Sequence, residues 1–133
     1  MQIAKWDDGF VLDTDPRRQD PLYYYLREGS KDSVLGVRVD PLYEEHEATD
    51  VSIRISPEHQ QREAGMEPAA RREMYRRIIS VLLKSFPRWK RVTLHSPHLR
   101  DVLEHGSISP LFVGAGFSRA HGDAPNERTW AKG

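Results

Sequence analysis

Cysteine is missing from all 133 residues of the sequence. That removes disulfides, thiolate metal sites and cysteine nucleophiles together. A surplus of charge is missing too, since 20 Lys plus Arg balance 20 Asp plus Glu. Without a net field there is no overall pull toward nucleic acid or an anionic membrane. No apolar run approaches the roughly 20 residues that cross a bilayer. The first ten residues, MQIAKWDDGF, lack the apolar core of a secretion signal. These absences predict a cytoplasmic protein with neither a membrane nor a nucleic-acid partner. Repeats, low-complexity tracts and linkers are also lacking, so 1–133 reads as one domain. Apolar residues amount to only 38%, but they fall in periodic runs, which argues for one core rather than disorder.

The most informative stretch runs from Asp50 to Phe86. Val51, Ile53 and Ile55 alternate with Ser52, Arg54 and Ser56, the pattern of a half-buried strand. A polar segment follows. Then Ala70, Met74, Ile78, Val81, Leu82 and Phe86 recur at three- and four-residue steps, which predicts one apolar helix face. Pro68 suits the first helical turn and Pro87 stops the helix. A strand, a loop and a long helix place free N–H groups and a partial positive charge at the helix start, where an anion such as phosphate is favoured.

Around this stretch the sequence predicts further strands at 9–12, 22–27, 33–39, 91–96 and 128–132, a short helix at 99–105 closed by Gly106, and a helical turn within 109–117. Strands 22–27, 33–39 and 50–56 should form an antiparallel meander, with 91–96 parallel to 50–56 across a right-handed crossover. This is an α+β layer, a mixed and mainly antiparallel sheet with helices on both faces.

His95 stands at a predicted strand end beside Ser96 and His98. A histidine there suits proton transfer near neutral pH, although a polar strand-end histidine with a backbone partner is the plainer reading. The spacing of His95, His98, Glu104 and His105 matches no tight ligand pattern, so no metal is expected. Arg71, Arg72, Arg76 and Arg77 read as the solvated helix face, with Glu73 and Arg77 as an i,i+4 pair. Alternation separates Tyr24 from Tyr23 and Tyr25, which favours core packing over base stacking. The acidic residues Asp7, Asp8, Asp13 and Asp15 read as solvated loop.

Two local patterns bring a family into view. Arg62-Glu63-Ala64-Gly65-Met66-Glu67 lies between the central strand and the long helix, and Leu111-Phe112-Val113-Gly114-Ala115-Gly116-Phe117 lies about 50 residues on. With the element order, they resemble the Q/R-x-x-G-x-G/A and L-Y-x-x-x-G-F patterns of the GNAT superfamily of N-acetyltransferases, over roughly residues 22–132. The resemblance implies an acyl-CoA-dependent N-acyltransferase that passes an acetyl group from acetyl-CoA to a small-molecule or protein amine. It implies acyl-CoA contacts at Ile55, Arg62, Gly65 and Met66, with the pyrophosphate against residues 62–68, and places His95 in the cleft as the catalytic base. Two positions depart from the pattern: Glu67 replaces a small residue, and Phe112 replaces the tyrosine that serves as general acid. The alternative is a GNAT-like domain without catalysis, acting as a structural or binding part of a homo-oligomer or larger assembly.

Overall fold

The computed structural model describes residues 2–14, 23–29, 33–41, 49–105, 108–120 and 124–132. The strands are β1 (Gln2–Lys5), β2 (Phe10–Thr14), β3 (Tyr23–Glu28), β4 (Ser33–Pro41), β5 (Asp50–Ile55), β6 (Arg91–His95), β7 (Phe117–Arg119) and β8 (Glu127–Lys132). They make one sheet in the order β1-β2-β3-β4-β5-β6-β8-β7. Among the described strands only β5 and β6 pair in parallel, and the other neighbours are antiparallel. The meander and the parallel pair are therefore as the sequence predicts. Strands β1 and β7, of four and three residues, are additions too short to carry a periodic signal.

Cross-strand rows show how alternation builds the core. Leu12–Leu26–Leu35, Tyr24–Val37–Ile55, Val39–Ile53–Leu94 and Val51–Val92–Trp130 line one face. The opposite face carries rows such as Asp40–Ser52–Thr93–Thr129, and the two threonine hydroxyls bond at 2.9 Å. Helices α1 (Gln60–Ala64), α2 (Pro68–Ser85), α3 (Leu99–His105) and α4 (Ile108–Gly114) follow, with a single 3-10 turn at Pro57–His59 before α1. Met74, Tyr75, Ile78, Ile79 and Leu82 of α2, Leu99 and Val102 of α3, and Ile108 and Phe112 of α4 all join the apolar rows in one core. Among the described residues the helices that reach the core thus cover one face. The sequence predicts helices on both faces; among the described residues none of these helices lies on the second face, although Val11, Ser52, Thr93 and Thr129 are buried there.

The buried stripe of α2 is also rotated from its predicted position. It runs Arg71, Met74, Tyr75, Ile78, Ile79 and Leu82. Ala70 is exposed and Val81 half-buried. Both stripes obey helical period; the real one admits an arginine and a tyrosine because polar partners await them below. Gly106 and the acidic stretch 44–47 lie outside the described residues. No described helix is long and apolar enough to cross a membrane.

Candidate functional site

The β5–β6 ladder pairs Asp50 through Ile53 with Arg91 through Leu94 and then stops. Strand β5 continues to Ile55, held among the described strands by β4 through Val37–Ile55 and Arg38–Arg54. On the other side β6 stays with β8 through His95–Glu127, and the Ser96 N–H bonds the Asn126 carbonyl at 3.0 Å. The two parallel strands therefore part at their carboxyl ends, the position where open sheets place their ligands. The opening is a cleft of about 430 Å³, lined by Arg54, Ile55, Gln60, Glu63, His95, Ser96 and residues 124–127 among others.

His95 and Glu127 face each other across the strands, Nδ1 3.4 Å from Oε1, both partly exposed at the cleft. A carboxylate beside one ring nitrogen favours a proton there and leaves the other nitrogen as an acceptor. Arg54 lies 3.4 Å from Asp40 on β4, a carboxylate it shares with Arg38 at 2.7 Å, and its buried Nε has no hydrogen-bond partner.

Deeper in, the cleft reaches a polar network. Glu63 is only 1% exposed. The Tyr75 hydroxyl donates to its Oε1. A phenol has one proton, so Ser96 Oγ, 3.0 Å away, donates to the phenol oxygen. Ser96 Oγ in turn accepts the His98 N–H at 3.0 Å. Burial first, and then the Glu63 charge, push the Tyr75 hydroxyl well above the ordinary tyrosine range, so it remains a donor.

Arg71 is buried beside this network, which corrects its reading as a solvated residue. Its guanidinium donates to the carbonyls of Glu63, Ala64 and Met66 at 3.3, 3.3 and 3.1 Å, and bonds His98 Nδ1 at 3.0 Å. A cation thus caps the end of α1 and wraps the segment between β5 and α2 around itself. Arg72, Arg76 and Arg77 do stay near the surface, paired with Asp101, Glu73, and Glu73 plus Asp8.

The residues anticipated for acyl-CoA divide between two places. Ile55 lines the cleft. Arg62 is exposed on α1, and Gly65 caps it. Met66 is half-buried against the core and lines a second, apolar cavity of about 240 Å³ under α2, away from the cleft. The Gly65 and Met66 amides are already bonded, to the carbonyls of Gln61 and Glu63. Phe112 does not reach the cleft; it is fully buried between Trp130 and Phe117. Gly116 has φ +94, a conformation that favours glycine and turns the chain into β7, so the G-F pair has a local structural reason. Glu63, Tyr75 and Glu127 were not singled out by sequence. The one available signal was Tyr75, a polar-tipped aromatic adjoining the apolar stripe.

No protein-family model matches the sequence, and no curated protein is significantly similar to it. The chain is similar to the crystal structure of a protein of unknown function from Aquifex aeolicus VF5, at 14% identity and a TM-score of 0.44, covering 98% of this chain and 72% of that one.

Proposed function

We propose that this protein is an acyl-CoA-dependent N-acyltransferase of the GNAT type, moving an acetyl group from acetyl-CoA to a primary amine. The parting of β5 and β6 beside the His95–Glu127 pair carries the reading. Beyond Ile53 the backbone of β5 facing the cleft has no ladder partner in β6, and offers hydrogen bonds to an extended acyl donor. In this reading His95 takes a proton from the attacking amine as the N–C bond forms. Glu127 holds the imidazole and favours the cation it becomes. Backbone N–H groups of β5 support the carbonyl oxygen as charge gathers on it. As the C–S bond breaks, the imidazolium returns the proton to the departing thiolate.

At the phosphate end, Arg62 and the first amides of α2, at Ala69 and Ala70, supply the positive charge and donors. The test is an acetyl-transfer assay over an amine panel, with His95→Gln and Glu127→Gln compared across pH. His95→Gln should cut kcat/KM by about 10²–10⁴-fold, and Glu127→Gln, which leaves the imidazole unheld, should cut it by less. Wild-type rates in His95→Gln would defeat the assignment.

One observation favours the second reading, a GNAT-like binding domain without catalysis. The segment that should cradle a pyrophosphate closes around Arg71 instead, with the Gly65 and Met66 amides spent internally. Absence of heat with millimolar acetyl-CoA would select it.

A further inference from the structure

Arg38 and Arg54 stand directly opposite each other across β4 and β5, on the sheet face turned from the core helices. Like charges so paired repel. One carboxylate answers both: Asp40 accepts a hydrogen bond from Arg38 Nε at 2.7 Å, while Arg54 Nε lies 3.4 Å away. The second contact is an ion pair without a hydrogen bond, because Arg54 Nε is buried and has no partner. Two cations thus share one anion, and one positive charge is left over. A buried N–H without an acceptor is unfavourable as well. Arg54 brings both features to the wall of the cleft, and its side chain is still 42% exposed, so a ligand can reach it. The β5–β6 ladder ends at Ile53–Leu94, which leaves Arg54 on one lip of the cleft and the His95–Glu127 pair on the other.

We infer that Arg54 is the anion-recognising residue of this cleft and takes the carboxylate of a small-molecule ligand. A guanidinium fork meets a carboxylate in two parallel hydrogen bonds. The charges around it select the anion. Arg38, Arg54 and Asp40 leave a surplus of one. The other acidic groups of the cleft have cations of their own beside them, with His95 at Glu127 and the buried Arg71 against Glu63. A single carboxylate therefore matches the surplus. A phosphate dianion exceeds it and brings the excess toward Glu127, which repels it. Ile55, Pro97 and Pro125 supply apolar wall for a short alkyl stem behind the carboxylate. The site needs no acetyl-CoA; only on the acyltransferase reading does the ligand become the acceptor, which then bears a carboxylate.

The experiment is an NMR titration of the intact chain, at neutral pH and fixed ionic strength, with sodium butyrate, with butyramide as its uncharged analogue, and with inorganic phosphate. Butyrate should move the Arg54 Nε–H signal and the amides of residues 54, 55 and 95, and should bind about tenfold more tightly than butyramide. Phosphate should bind more weakly than butyrate. Arg54→Gln removes the charge and should erase the preference for butyrate over butyramide. No binding of butyrate, or equal binding of butyrate and butyramide, to the wild type would overturn the inference, whether or not the variant folds. So would phosphate binding as tight as that of butyrate, or an undiminished preference in folded Arg54→Gln. Calorimetry with acetyl-CoA alone tests the acyltransferase reading separately, so the two can fail independently.

Discussion

The ring of Phe112 lies on the indole of Trp130, with centroids 4.1 Å apart and planes 3° from parallel. Phe117 meets the same phenyl ring edge-on at 5.7 Å. These ring contacts fasten α4 to β8 and β7. Sequence comparison with the GNAT pattern makes Phe112→Tyr a repair that restores an acid. The packing gives the opposite expectation. A hydroxyl at this position enters a sealed ring stack and should cost about 1–3 kcal/mol if left unpartnered. Chemical denaturation should show that loss, and acetyl transfer should not rise.

Arg71 orders the segment between β5 and α2 from inside. Arg71→Met keeps the length of the stem but takes the guanidinium donor from the carbonyls of Ala64 and Met66, while that of Glu63 keeps the Met66 N–H, so stability should fall by about 1.5–3 kcal/mol. Hydrogen exchange locates the damage: the amides of Gly65 and Met66 should lose protection before those of β5 do. Unchanged protection there would show that the segment holds itself.

Glu73 is held at a pKa of about 2, against an ordinary 4.5, mainly by the Arg76 side chain and further by Arg77, with burial opposing. Its folded value lies below its unfolded one. The stabilisation is therefore present above about pH 4.5 and disappears as pH falls through 2. Glu73 is 43% exposed, so solvent screening keeps the contribution small. Such pairs give about 0.3–0.5 kcal/mol each. Glu73→Gln should cost less than about 1 kcal/mol at pH 7, with the difference from wild type vanishing in melts near pH 2.

Glu67 sits exposed at the start of α2, with no side-chain capping bond. Its carboxylate opposes any phosphate brought to residues 62–68. Glu67→Gly should therefore tighten acetyl-CoA binding, by a few-fold, while Arg62→Ala weakens it, both read by calorimetry. If neither changes affinity, the phosphate end of the donor does not lie on this segment.

Much of the fold was legible because each element carries its own period. Val51, Ile53 and Ile55 alternate, Met74, Ile78 and Leu82 recur at four, and the structure places both sets in the core. What escaped depends on relations between distant residues. Nothing local to Arg71 announces that three carbonyls will converge on it, and by composition it belongs with Arg72, Arg76 and Arg77. The segment 57–64 is too polar to show an apolar stripe, so it reads as loop although it forms a 3-10 turn and a short helix. His95 was visible as a strand-end histidine. Its partner Glu127 was not, because their meeting is set by the register of β6 on β8.

The sheet begins and ends on its shortest strands. Strand β1 has four residues and closes with Lys5, and β7 has three and closes with Arg119. A second chain seeking to extend the sheet meets at each rim only a brief run of backbone terminated by a cation, and brief, charged edges of this kind resist edge-to-edge growth. The wide eight-stranded sheet is in this way guarded against polymerising with its own copies, a property of its margins rather than of its core.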